Sequence, residues 1–426
     1  MEVTIELDQN QIQIQLLPNE EEISSKTVSR MGEHLIFKIQ SNEDVNFNEI
    51  HPDHLALIVI LACHPFSIGT LQIPIDVSSK FSKACEIFSR YKLQFNSTNS
   101  SPYTSNSNGR PGLAFSGGVD STAALELMPS STIPVFLDRP VLEKKSMYNK
   151  SAALATLSFL EAIQIPNISI TTDVEYIRNP IGFPTDLASG IPVIALATQL
   201  NFDSIGFGTV MESAYRIGHE KSRDYSKSQH FRIWSKIFDA AGLPLFLPVA
   251  GVSEVGTSKI VHNSKFKGMA QSCIRGYWPN TCNNCWKCFR KHLLSNYLND
   301  IFISDDEFLV LLNSKEVSMK IGQEFISHEN VLAWALCQME RGPVMEAFFN
   351  RLVGSTYELH HLERYLPNAL ELLPTKYKQG VIEKLHQHLE PMAEDDQLRM
   401  LKQNFSKYLK SEEFHQKVNY FSKILI

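Results

Sequence analysis

Gly112-Leu113-Ala114-Phe115-Ser116-Gly117-Gly118-Val119-Asp120-Ser121-Thr122 is the stretch on which the architecture turns. Its first four residues are a short apolar run, and residues 121–128 carry a helical pattern, so the paired glycines stand between a strand and a helix. Adjacent glycines let the backbone reach positive φ and bring its N–H groups against an anion with no Cβ in the way. The helix that starts there aims its unsatisfied N–H groups and the positive end of its dipole at the same point. Ser116 and Ser121 add hydroxyl donors. Asp120 cannot bind phosphate directly; it holds a Mg²⁺ that bridges phosphates, or it caps the helix. The lysine and spacing of a Walker loop are absent, and so is the GxGxxG dinucleotide fingerprint.

Outward from this loop, apolar runs at 133–137, 168–171, 204–210 and 245–249 read as strands, with helical patterns at 150–163 and 192–200. Strands alternating with helices predict an α/β fold whose parallel sheet is covered on both faces. Ligands of such sheets lie beyond the carboxyl ends of the strands. Upstream, Val3-Thr4-Ile5-Glu6-Leu7 and Ile12-Gln13-Ile14-Gln15-Leu16 alternate with period two, as half-buried strands do. A helix is expected over 78–92. Beyond residue 293 only helical patterning is present, at 307–312, 330–340, 344–352, 378–389 and 398–409. The expected organisation is a β-rich domain over 1–95, a linker rich in Asn and Ser over 96–109, a nucleotide-binding α/β domain over 110–292, and a helical region over 293–426.

The 426 residues carry a formal net charge of −6, with 43% hydrophobic residues, which is enough for a sizeable core. The longest apolar run, 55–63, has nine residues, far short of the ~18–20 that span a bilayer. Met1-Glu2-Val3-Thr4-Ile5-Glu6 lacks the cationic and apolar segments of a secretory signal. Sequence-independent duplex binding needs many phosphate-neutralising cations, which a mildly acidic chain without a lysine-rich tail does not offer. The cytoplasm is the expected location.

Four of the seven cysteines form Cys273-x8-Cys282-x2-Cys285-x2-Cys288. Two interlocked Cys-x2-Cys steps wrap thiolates around a tetrahedral ion, and Cys273 closes the fourth position, which suits a structural zinc. An iron–sulfur cluster is the alternative that such spacing allows. Lys287, Arg290 and Lys291 are placed to offset the thiolate charge. Cys63 and Cys337 lie in apolar stretches and are expected in the core.

After the strand that starts at residue 204 comes Glu212, a candidate to hold Mg²⁺ or accept from an amine, and Tyr215, a candidate to stack on substrate. Residues 211–236 hold six cations against three anions, either to neutralise a triphosphate or an anionic partner or as a solvated helix face. His219, His230 and His262 have no spacing that supports a triad. Lys259 follows the last strand and is a candidate charge for an α-phosphate. Adenylation relies on positioning and charge neutralisation, so a missing nucleophile is compatible with it.

The segment Phe115 to Ser121 resembles the pyrophosphatase loop of the PP-loop ATP pyrophosphatases, enzymes on a flavodoxin-like, HUP-type sheet that split ATP between its α- and β-phosphates and adenylate a substrate. The resemblance places ATP on Phe115, Ser116, Gly117, Gly118, Asp120, Ser121 and Thr122, with Asp120 near the metal and the adenine against Leu137-Asp138-Arg139. The cysteine cluster, preceded by Leu245-Phe246-Leu247-Pro248-Val249, Ser258-Lys259-Ile260-Val261 and Gln271-Ser272-Cys273, is similar to the zinc site of 7-cyano-7-deazaguanine synthases (QueC-like proteins). This likeness runs over 112–292. It implies a carbon–nitrogen ligase that uses ATP, Mg²⁺ and Zn²⁺ on a small carboxylate or amide, with Asp120, Glu212 and Lys259 as catalytic residues. Two other readings stand beside it. One is a PP-loop enzyme acting on a macromolecule, such as tRNA or the terminus of a co-encoded protein. The other is a non-catalytic module that binds nucleotide or a partner.

Overall fold

The computed structural model describes residues 1–24, 30–42, 44–142 and 148–424. Its strands are β1 (Glu2–Leu7), β2 (Gln11–Leu17), β3 (Arg30–Met31), β4 (Ile36–Ser41), β5 (Gly69–Ser78), β6 (Tyr91–Ser100), β7 (Arg110–Phe115), β8 (Ile133–Asp138), β9 (Ile168–Thr172), β10 (Arg178–Asn179), β11 (Phe202–Phe207) and β12 (Leu245–Phe246). Strands β3 and β10 pair with each other. The other ten form one sheet in the order β12-β11-β7-β8-β9-β4-β2-β1-β5-β6.

The five strands from β12 to β9 are mutually parallel. Numbered along the chain, their order is 3-2-1-4-5, with the reversal between β7 and β11. A flavodoxin-like sheet would run 2-1-3-4-5, so that part of the expectation is corrected. Both faces are covered, and the interior strand β8 is accordingly apolar from Ile133 to Leu137. Leu113, Phe115 and Phe136 point into one core with Ala123, Leu127 and Ile260. Val135, Ile170 and Ile205 point into the other, where the helix Ile191–Leu196 lies.

The amino-terminal strands belong to this same sheet. Strand β4 runs antiparallel to β9, with Ile39 opposite Thr172 and Ser41 opposite Ile170. The nine-residue apolar run lies in the helix Pro52–Cys63 and is wholly buried. The segment expected as a linker begins inside strand β6, which pairs with β5 through Ser100. An edge strand leaves part of its surface to solvent, so its polar side chains are no obstacle to pairing. Farther on, Tyr103 is pinned as well: its hydroxyl donates to the carbonyls of Ala197 and Phe202 at 3.1 and 2.9 Å, and its ring meets His54 at 4.4 Å.

Other boundaries differ locally. The helix expected over 78–92 ends at Cys85, where the chain turns so that Phe88 and Tyr91 meet His64. The strand expected over 245–249 is confined to Leu245–Phe246, two residues before Pro248, which has no backbone N–H to donate. The strand expected over 204–210 is Phe202–Phe207. The carboxyl-terminal region is helical as expected, although the helix expected over 398–409 is Glu394–Leu401. Cys63 is in the core, whereas Cys337 ends its helix on the solvent side and is exposed. No helix among the described residues is long and apolar enough to cross a membrane.

Candidate functional site

Strand β7 delivers Phe115 to a loop whose turn is made by Gly117 at φ +72°, a left-handed conformation that costs glycine little. Gly208, just past β11, comes so close that a Cβ there would lie 2.7 Å from the amide nitrogen of Ser121. The two strands at the topological reversal thus converge on the loop. The hydroxyls of Ser116 and Ser121 sit 3.1 Å apart, and Thr122 donates its hydroxyl to the Gly118 carbonyl at 2.9 Å. Phe115, Ser116, Gly118, Asp120 and Ser121 line a cleft of about 250 Å³; Gly117 and Thr122 support the loop from behind without lining it.

At the carboxyl end of β8, Leu137 and the following Arg139 line the same cleft, while Asp138 pairs with Lys150 at 2.8 Å. The Arg139 guanidinium lies over the rings of Tyr148 and Phe183 at 4.7 and 5.2 Å and pairs with Glu175 at 3.1 Å. Burial raises the Glu175 carboxyl above its ordinary range, against the pull of Arg139. The facing wall is Gln271-Ser272-Cys273. The Gln271 backbone N–H donates to the Gly117 carbonyl at 3.2 Å, and the Val119 backbone N–H donates to the Ser272 hydroxyl at 3.2 Å. The segment leading to the cysteines is therefore stitched to the glycine loop.

Behind Asp120 lies a buried polar network. Its Oδ1 accepts from the Thr257 hydroxyl at 2.9 Å and faces Lys291 Nζ at 3.4 Å. Lys291 is also 3.4 Å from Glu254 Oε2, and Glu254 Oε1 meets Arg290 at 2.6 Å and His328 at 3.1 Å. Burial opposes ionisation of Glu254, yet Lys291 and Arg290 hold its carboxyl well below the usual range.

Glu212 and Lys259 stand elsewhere than the sequence suggested. Glu212 is fully buried and does not line the cleft; it accepts from the Glu254 amide at 3.0 Å and from the Asn330 side chain at 2.9 Å. Burial, and then the negative Glu254, push its carboxyl up to about 8. Lys259 pairs with Glu363 at 2.5 Å, away from the cleft. The cation that reaches Asp120 is Lys291, one helical turn past Cys288 on the helix Trp286–Leu298. Arg290 and Lys291 offset carboxylates here, in place of the thiolate charge expected of them. Tyr215 is buried against Tyr225 and does not line this cleft. His219 is pushed down to about 4, by burial first and then His328. His230 lies between Tyr225 and Asp186. In the cation-rich stretch, Arg223 donates to the carbonyls of Ala214 and Ser213, and Lys227 pairs with Asp224.

The position of Glu212 gives a first prediction. A carboxyl raised on folding contributes stability that is full below its unfolded value and is lost as pH rises through the folded one. The loss for Glu212 falls between the ordinary 4.5 and about 8. Glu212→Gln is neutral throughout, and the Asn330 Oδ1, which has no hydrogen-bond partner, can take its new N–H after an amide flip. Denaturant unfolding is expected to show Glu212→Gln folded, with a flatter stability profile than wild type across that window.

The four cysteine sulfurs lie within 4.8 Å of one another, with Cys282 and Cys288 at 3.6 Å. A tetrahedron with ~2.3 Å Zn–S bonds has S···S edges of about 3.8 Å, so the set can hold a metal. Backbone amides point at the sulfurs: Gly276 and Cys282 donate to Cys273 Sγ at 3.2 and 3.4 Å, and Cys288 to Cys285 Sγ at 3.4 Å. Cys285 also caps the helix Trp286–Leu298. Chelation, or Cys285→Ser, is expected to release bound metal and lower the thermal midpoint together, measured by metal analysis and calorimetry. A variant that loses metal without losing stability would refute the structural role.

A family described as being of unknown function, DUF6395, matches residues 233–404, which include the four cysteines but not the glycine loop. No curated protein and no solved structure matches the chain.

Proposed function

We propose that this chain is an ATP-dependent adenylating enzyme of the PP-loop ATP pyrophosphatase type, on a HUP-type sheet, acting in the cytoplasm as a carbon–nitrogen ligase similar to 7-cyano-7-deazaguanine synthase. The observation that carries the reading is the Ser116-Gly117-Gly118-Val119-Asp120-Ser121 loop at the reversal between β7 and β11, with an open cleft in front of it. Crevices at such reversals are where open α/β sheets bind ligands.

The hydroxyls of Ser116 and Ser121 and the backbone around Gly118 bind the pyrophosphate portion of ATP. Leu137 and Arg139 bound the base. A carboxylate or amide oxygen of the acceptor attacks the α-phosphorus, the bond to the β-phosphate bridging oxygen breaks, and pyrophosphate leaves. A nitrogen nucleophile then attacks the activated carbon; AMP departs with the bonding pair, and the nitrogen loses its proton to solvent. Asp120 fits a Mg²⁺ role, since Oδ1 is fixed by Thr257 and Lys291 while Oδ2 takes no hydrogen bond among the described residues. Mg²⁺ there supplies neutralisation of phosphate charge. Zinc suits the four thiolates, which leave no position open for chemistry; Cys273 ends the wall that bonds to the glycine loop. Glu212 and Lys259 act on this reading as structural residues, one a buried acid and the other a surface pair.

The test is product analysis. Protein incubated with MgATP and a mixture of small carboxylates and ammonium is expected to form AMP and pyrophosphate, resolved by anion-exchange chromatography. ADP and orthophosphate as the products would reject the proposal.

A further inference from the structure

A second chamber, of about 430 Å³, opens on the other side of the Gln271-Ser272-Cys273 wall. It lies between the helices Glu254–His262 and Trp286–Leu298. Lys287, Lys291, Ser295 and Asn299 recur at four-residue spacing and so present one face of the latter helix to it. Among the described residues, three lysines line this chamber (Lys267, Lys287 and Lys291), no carboxylate does, and Cys273 and Cys288 of the four-cysteine cluster form part of its wall. Lys291 is engaged by Asp120 and Glu254 behind the floor. Lys267, hydrogen-bonded to the His262 imidazole at 3.1 Å, and Lys287 remain at the rim. The rest of the lining is largely apolar, with Trp278, Val261 and Leu298. A volume in this range is that of a small-molecule site.

The dividing wall is one chain thick. Gln271, Ser272, Cys273 and Lys287 line both spaces. The Gln271 side-chain nitrogen is buried with no hydrogen-bond partner. A buried donor without an acceptor is costly.

The geometry points to this chamber as the binding site of a small organic acid whose carboxylate is held by Lys267 and Lys287 and whose apolar body lies against Trp278. Two exposed lysines at the rim, with no carboxylate beside them, favour negative charge at the mouth, and a pocket with an apolar floor selects against bare inorganic anions.

The experiment uses the full, metal-loaded chain and ligand-observed saturation-transfer NMR with benzoate and cyclohexanecarboxylate, against uncharged benzamide. Both acids are expected to respond, with affinity about tenfold above benzamide, the worth of one charge-assisted hydrogen bond. Lys267→Gln, which alters this chamber alone, is expected to remove that preference. Saturating α,β-methylene-ATP is expected to leave the acid signal in place, since it occupies the other space. Absence of signal from both acids, equal binding of benzamide, an unchanged preference in Lys267→Gln, or displacement by the nucleotide analogue would each overturn the inference. Nucleotide binding is followed separately on the same samples. Its absence with the acid response intact would instead remove the adenylation reading and leave the anion site standing.

Discussion

Asp120→Ala is expected to lower AMP and pyrophosphate formation by about a hundred- to a thousandfold, the range for removing one group that stabilises developing charge. Its carboxylate faces the cleft, with one oxygen fixed by Thr257 and Lys291. On the adenylation reading, loss of that carboxylate would remove the residue proposed to hold Mg²⁺. The fold should survive, because Lys291 retains Glu254 as a counter-charge and Thr257 can turn its hydroxyl to the Glu254 carbonyl, already 3.3 Å away. Rate measurements with matched circular dichroism and metal content separate the two effects. Activity within tenfold of wild type in Asp120→Ala would remove Asp120 from the reaction.

Glu254→Ala should produce the largest loss of stability of any single change in the site. The residue is buried, and its carboxylate meets Arg290, Lys291 and His328 within 2.6–3.4 Å. Removing one partner of a buried pair leaves an uncompensated charge, which costs about 3–5 kcal/mol. Arg290 is stranded here, whereas Lys291 has a second carboxylate in Asp120. Arg290→Met should be milder, because Glu254 keeps Lys291. A double-mutant cycle read by denaturant unfolding is expected to show strong coupling between Glu254 and Arg290. Additive losses would mean that the pair contributes nothing beyond its separate contacts.

The glycine loop and the cysteine cluster were legible in the sequence because each is local: a strand, a turn and a helix in eleven residues, and four thiols in sixteen. The alternating pattern from 110 onward likewise predicted the parallel strands and the helices over both faces. Strand order was not legible, since pairing partners far apart in sequence leave no mark on either strand alone. For the same reason Lys259 looked suited to phosphate charge while Lys291 took the place beside Asp120: a position after a strand says nothing of which way a helix turns its side chains. Glu212 was misjudged because nothing in its neighbours announces Asn330 or the Glu254 amide, both contributed from distant segments. The polar residues 96–100 looked unstructured because composition records burial, whereas an edge strand needs only backbone bonds on one side.

The antiparallel contact of β4 with β9 makes the amino-terminal strands a guard on the flank of the parallel array. A chain trimmed at residue 109 would bare the N–H and C=O groups of β9 along one side, a template for self-association, and would uncover the inner surface of the Ile191–Leu196 helix on which Pro52–Cys63 rests. The leading hundred residues are thus chaperones of the sheet's solubility as much as an appendage to its chemistry.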